Sequence, residues 1–180
     1  MLGFRGRSSL LLTCALCAAV AAGVLMDDRD DGASPDAPIP TAPGDASTAR
    51  VERVVDGDTI RLEGVGSVRL IGIDTPETQG GREECFGPEA TRYVERLLPP
   101  GARVRYTVGE EARDRYGRLL VYLYAPDGAA LNQLLVTAGY ATTLTIAPND
   151  RYAQAFERAE RRARLGRKGM WARPGCAPAD

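Results

Sequence analysis

Three short β-rich segments stand almost end to end, and they limit the fold more than anything else in the chain. Val51–Val55, Thr59–Glu63 and Val68–Ile73 are separated only by Asp56-Gly57-Asp58 and by Gly64-Val65-Gly66-Ser67. Connectors this short join antiparallel neighbours, so the segments predict a meander. Ala102–Val108 and Arg118–Tyr124 are two further strand segments. A helix is expected from Pro88, where proline and Glu89 suit the first turn and Ala90, Tyr93, Val94, Leu97 and Leu98 share one face. Leu131, Leu134, Leu135 and Ala138 mark a short helix, and Tyr152, Ala155, Phe156, Ala159 and Ala163 a longer one beginning near Asp150. The expected fold is therefore α+β: five strands closed into a small barrel that removes the sheet edges, with about three helices.

The domain does not use the whole chain. Arg5 and Arg7 precede an uncharged stretch from Leu10 to Met26 that ends in small residues. That is the layout of a secretory signal, though the stretch nearly reaches membrane-spanning length. Residues 1–26 are thus expected to be a signal peptide, with an uncleaved N-terminal anchor as the alternative. Residues 27–49, rich in Asp, Ala and Pro, are expected to form a disordered linker. Residues 50–176 make the domain and 177–180 a tail. Either leader puts the domain in a secreted or extracytoplasmic location, and only the uncleaved one involves a membrane. The formal charge of −1 is too balanced to argue for or against a polyanionic partner.

The chain contains no histidine. Ser-His-Asp and Cys-His sites, His-ligated zinc and His-metal nuclease centres are all excluded. Any general base must be a carboxylate, Tyr, Lys or Cys. If the hairpin turn is centred between Val65 and Gly66, Asp58 falls opposite Asp74, and Glu63 opposite Arg69. Two facing carboxylates repel unless neutralised, and a hard cation with oxygen ligands is one solution. Thr75-Pro76-Glu77 adds a third carboxylate and free carbonyls. Arg69 interrupts an apolar strand, as a snorkelling or paired residue or as a phosphate clamp. It can reach the Asp74 end only if the strand bends, with Gly72 the candidate position. The loop Arg113-Asp114-Arg115-Tyr116-Gly117-Arg118 sets guanidiniums beside an aromatic ring, a layout suited to phosphate and base contacts.

Val54-Val55-Asp56-Gly57-Asp58-Thr59, Arg69-Leu70-Ile71-Gly72-Ile73-Asp74-Thr75-Pro76-Glu77, Gly87-Pro88-Glu89-Ala90 and Asp114-Arg115-Tyr116-Gly117-Arg118 occur in the order and rough spacing of the staphylococcal nuclease-like (thermonuclease) family. The chain resembles that family from about Val51 to Trp171. The resemblance implies an OB-fold barrel and a calcium-dependent endonuclease that hydrolyses DNA and RNA and leaves 3′-phosphates. It implies that Asp58, Asp74 and the Thr75 carbonyl bind Ca2+, with Asp56 behind them as an auxiliary metal residue. Glu77 would be the base acting on water, and Arg69 and Arg118 would hold the phosphate and stabilise the transition state. Tyr116, and Arg115 in the same loop, are the expected substrate-binding residues. The main alternative is a catalytically inactive OB-fold module that binds nucleic acid at the cell surface. The segment Thr143-Leu144-Thr145-Ile146-Ala147-Pro148 departs from the family, which carries two tyrosines near the nucleotide base. Cys85 and Cys176 lack metal-ligand spacing, and in an exported domain that favours a disulfide over two buried thiols. A monomer is expected.

Overall fold

The structure, a computed structural model, describes residues 39–78 and 84–176. The expected leader, the linker up to residue 38 and the tail 177–180 lie outside the described residues. In chain order the elements are β1 (Ser47–Val54), β2 (Thr59–Leu62), β3 (Gly66–Leu70), β4 (Gly72–Asp74), α1 (Gly87–Leu97), β5 (Arg103–Arg113), β6 (Leu119–Tyr124), α2 (Leu131–Ala138), β7 (Thr142–Leu144) and α3 (Ala153–Leu165). A single 3-10 turn, Gly169–Ala172, follows.

The first three strands form the antiparallel meander. β6 then pairs in parallel with β3 and antiparallel with β5, and β5 returns to β1, closing a five-stranded barrel. The expected α+β barrel with three helices is present. Its interior holds Val51, Ile60, Leu62, Val68, Leu70, Val104, Val121 and Leu123, all essentially inaccessible. Alternation of these residues with exposed ones along the strands is what a half-buried sheet requires. α1 packs through Ala90 and Val94, and Leu98 just beyond it is equally buried.

Four expectations need correction. The hairpin turn is centred on Gly64, which pairs Thr59 with Arg69 and Leu62 with Gly66. Gly64 and Gly66 both have positive φ, and the tighter turn wins because it keeps Ile60 opposite Val68 in the core. Arg69 therefore faces Thr59 rather than Glu63, and Asp58 is not brought to Asp74 by hairpin register. Second, the third strand breaks after Leu70. Gly72 takes φ +79°, and Gly72–Asp74 turns away to pair with Thr142–Leu144 as a separate two-stranded sheet.

Third, residues 39–49 are not disordered linker. β1 already pairs with β5 from Ser47, Ile39 is buried, and its amide donates to the Gln133 side chain at 2.7 Å. Arg105 caps the carbonyls of Ala42 and Pro43. Proline removes donors, but it leaves carbonyls that a guanidinium can hold. Fourth, the buried face of α2 is Leu131, Asn132, Leu135 and Val136, with Leu134 and Ala138 only half-buried. Asn132 is inside because its amide is fully used. It accepts from the Leu123 amide at 3.0 Å and donates to the carbonyls of Ile71 and Val121. That bond to Ile71 pins the backbone where β3 bends into β4.

Candidate active site

The bend carries Asp74 back toward the start of β2. Gly72 permits it twice over, since φ +79° disfavours a side chain and an added Cβ would run into the Phe156 ring of α3. Arg69, on β3, then fills the space between the two carboxylates. Its Nε lies 3.1 Å from Asp58 and its Nη2 2.7 Å from Asp74, while Nη1 donates to the carbonyls of Leu70 and Ile73, each at 2.9 Å. A charge on an apolar strand is tolerated because its hydrogen bonds go to charged and carbonyl oxygens.

Asp58 is buried and heavily hydrogen-bonded. Its Oδ2 accepts from the Thr75 amide at 2.8 Å and the Thr75 hydroxyl at 2.9 Å, and its Oδ1 from the Thr59 hydroxyl at 3.2 Å. Gly57 lets this happen, because a Cβ there would strike Thr75. Asp56 caps the turn by accepting from the amides of Asp58 and Thr59 at 3.1 and 2.7 Å. Burial and the neighbouring Asp58 charge push its pKa up to about 6, against those hydrogen bonds. Asp74 is raised as well, first by desolvation and then by Asp58, although half its side chain is exposed. Arg69 opposes that rise, and the charges of Glu77 and Glu84 add to it.

The parallel pairing of β3 with β6 puts Arg118 beside this cluster, immediately before Leu119, which pairs with Val68. Asp114 fixes the guanidinium, with Nε to Oδ2 at 2.7 Å, and Nη1 reaches the Thr59 hydroxyl at 3.4 Å. Burial alone would raise the Asp114 pKa. The hydrogen bonds from the Arg118 side chain and from the amides of Arg118 and Tyr116 outweigh it and hold the carboxyl below its usual range.

Arg69, Arg118, Arg115 and Tyr116 line one cleft of about 450 Å³, whose far wall is Leu144 and Ile146. The exposed Tyr116 ring has Arg115 at 4.8 Å and Arg118 at 5.4 Å. Arg115 and Tyr116 thus share the cleft but make no hydrogen bond to the carboxylate cluster. Glu77 sits on the loop after Thr75, exposed, near enough for its charge to act on Asp74. Cys85 and Cys176 are bonded, with their Cα atoms 5.0 Å apart.

Carboxylate and carbonyl oxygens are the donors that suit a hard cation. Among the described residues no three acidic or cysteine side chains form a closed cage. The residues expected to hold a cation, Asp58, Asp74 and the Thr75 carbonyl, would make a sparse shell that water completes.

Several contributors escaped sequence reasoning. Thr59 links Asp58 to Arg118, Asp114 orients Arg118, and Asn132 holds the bend. Asp114 had a visible signal, an acid four residues before an arginine in a turn. Glu160 of α3 is buried, although it is a charged residue that pairs with Arg164 one turn later. It accepts from the Thr143 hydroxyl at 2.6 Å as well as from Arg164, anchoring β7 beside the cleft.

Residues 67–173 match the family model of the staphylococcal nuclease homologues. Endonuclease YhcR of Bacillus subtilis (strain 168) is 39% identical over 134 residues, covering 67% of this chain but only 11% of that protein. Thermonuclease of Staphylococcus intermedius is 36% identical over 128 residues, 68% of this chain and 75% of the relative. Thermonuclease of Staphylococcus hyicus is 34% identical over 129 residues, 69% and 75% respectively.

Proposed function

The chain belongs to the staphylococcal nuclease homologue family, and we propose that it is an exported, calcium-dependent endonuclease acting on DNA and RNA. The observation that carries this reading is the linked row Arg118, Thr59, Asp58, Arg69, Asp74, which ties the two guanidiniums lining the cleft to two carboxylates beside it. A phosphodiester needs both, cations for its non-bridging oxygens and a charged framework that stays put during the reaction.

Asp58, Asp74 and the Thr75 carbonyl would hold the calcium ion, with Asp56 behind them, and when bound it supplies positive charge to the phosphate. Arg118, oriented by Asp114, presents the rest of its guanidinium to the cleft and stabilises negative charge as the phosphorus becomes five-coordinate. Arg69 holds the two carboxylates in place and faces the same cleft. Glu77 takes the proton of the attacking water. The water oxygen bonds to phosphorus as the bond to the 5′ oxygen breaks, and the departing oxygen takes a proton from solvent water, leaving a 3′-phosphate and a 5′-hydroxyl. Tyr116 and Arg115 hold the neighbouring nucleotide on the opposite wall.

Incubating the purified chain with end-labelled single-stranded DNA and calcium tests this reading. Fragments ending in 3′-phosphate support it. Binding without cleavage would instead support the inactive module. Export rests on the leader, and mass analysis of the protein from its host's medium would show whether residues 1–26 are removed.

The base-side wall leads to a prediction. Leu144 and Ile146 offer apolar surface but no ring, and Tyr140 cannot replace one because it stacks on Tyr93 at 4.4 Å and packs against Phe86. Stacking on an aromatic side chain contributes about 1–3 kcal/mol per base. Leu144→Tyr is therefore expected to tighten binding of a 3′,5′-bisphosphonucleotide about tenfold, one decade per 1.4 kcal/mol, with little change in turnover on long DNA. Equilibrium titration in calcium checks it, and unchanged affinity would count against an open base wall.

A further inference from the structure

Glu77 is seated by residues that belong to no motif for phosphate or metal. The Glu84 amide donates to the Glu77 carbonyl at 2.8 Å, and the Glu77 amide donates back to the Glu84 carboxylate at 3.1 Å. Gly87 closes the seat from behind, since a Cβ there would meet the carbonyls of Glu77 and Pro76 at 2.7 and 2.9 Å. Between Glu84 and Gly87 the chain makes a tight turn in which Phe86 has φ +76°, an unfavourable conformation for a residue with a side chain.

The C-terminal segment holds that turn. Cys85 is bonded to Cys176, 91 residues away. Arg173 pairs with Glu89 at 3.1 Å and lies 5.3 Å from the centre of the Phe86 ring. Both cysteines line a recess of about 340 Å³ together with Asp74, Thr75, Pro76 and Glu84. The disulfide is thus open to a small thiol from the same hollow that borders the carboxylates.

We propose that the Cys85–Cys176 disulfide is a redox control on turnover, with Glu84 the positioning residue through which it acts on Glu77. The proposal rests on the nuclease reading and adds its regulation. A dithiol reductant breaks the bond in two exchanges. One of its thiolates attacks a cysteine sulfur and releases the other as a thiolate. The second thiol then displaces the protein sulfur, so two electrons and two protons pass to the cysteines and the reductant becomes a cyclic disulfide. Once the bond is gone, the only described ties from the C-terminal segment to the turn are those of Arg173, and Glu84 no longer fixes the Glu77 backbone. Arg118 and the cleft wall belong to other elements and keep their places.

The test compares the oxidised chain, the chain reduced with dithiothreitol, and Cys176→Ser, each in calcium on single-stranded DNA. A displacement of about 1 Å in a catalytic group can cost about 10²-fold, so kcat should fall by about 10–10²-fold on reduction with KM little changed, and reoxidation should restore it. Glu84→Ala should reproduce the loss in the oxidised chain. Glu84→Gln, which can still accept the Glu77 amide, should rescue it. Hydrogen exchange at the Glu77 amide should accelerate on reduction and in Glu84→Ala, a readout independent of cleavage. A folded, reduced chain with unchanged kcat or unchanged Glu77 exchange overturns the proposal, even if its Tm falls. An oxidised chain that cuts nothing overturns the nuclease reading and the control of turnover with it. Faster Glu77 exchange on reduction would then show only that the disulfide holds the seat.

Discussion

Glu77→Gln is expected to lower turnover by about 10²–10⁴-fold while leaving DNA binding in place, because a positioned base contributes that much and the amide cannot accept the proton. The substitution keeps the shape, and the backbone is held by Glu84 through main-chain groups that it does not alter. Arg118→Ala should be similarly severe, about 10²–10³-fold, through lost stabilisation of developing charge. It also strands the Asp114 carboxylate, so Arg118→Lys is the informative companion. Lys keeps the charge but cannot span Asp114 and Thr59 with one planar fork. Steady-state kinetics on single-stranded DNA separate kcat from KM. Near-normal kcat in Glu77→Gln and Arg118→Ala would favour a binding module.

Gly72→Ala is expected to disrupt both the fold and the site, although it adds a single methyl. Holding alanine at φ +79° and forcing its Cβ against the Phe156 ring together cost about 2–5 kcal/mol. The damage is not confined to stability. Arg69 and Asp74 lie on either side of the bend, so any relaxation that relieves the clash separates the guanidinium from the carboxylate it holds at 2.7 Å. Denaturant melts should show the lower midpoint, and cleavage below the melting range should fall with it. Adding Phe156→Ala removes the obstructing ring. Its own cavity costs stability, but the pair should be less destabilised than the sum of the single changes. Simple additivity would mean that the ring does not set the bend.

Barrel and helices were legible because they follow from local patterns. Three β-rich runs separated by short turns permit little but a meander, and the Ala90–Leu98 periodicity permits little but a helix. The site's residues were legible through the family resemblance, but their assembly was not. Gly64 and Gly66 offer competing turn centres, and the choice between them depends on which partner Ile60 takes in the core. The bend at Gly72 depends on Phe156, 84 positions later, and on Asn132. Neither Thr142–Leu144 nor the parallel closure of β3 on β6 has a local signal, since a three-residue strand shows no periodicity and a long-range pairing leaves none. Ile39, Ala42 and Pro43 read as linker because composition does not show that Gln133 and Arg105 supply the missing partners. Glu160 has no local signal for burial either. Its burial depends on Thr143, which sequence does not bring near it.

The central claim is that the Asp58–Arg69–Asp74 cluster works as a calcium-dependent phosphodiesterase site. Titrating calcium against the rate of single-stranded DNA cleavage by the purified, oxidised chain tests it most directly. Two carboxylates and a carbonyl leave much of the shell to water, so half-maximal rate is expected at about 10⁻⁴–10⁻³ M calcium. Asp58→Ala should shift that midpoint upward, and excess chelator should abolish cleavage. Undiminished cleavage in excess chelator would contradict the account.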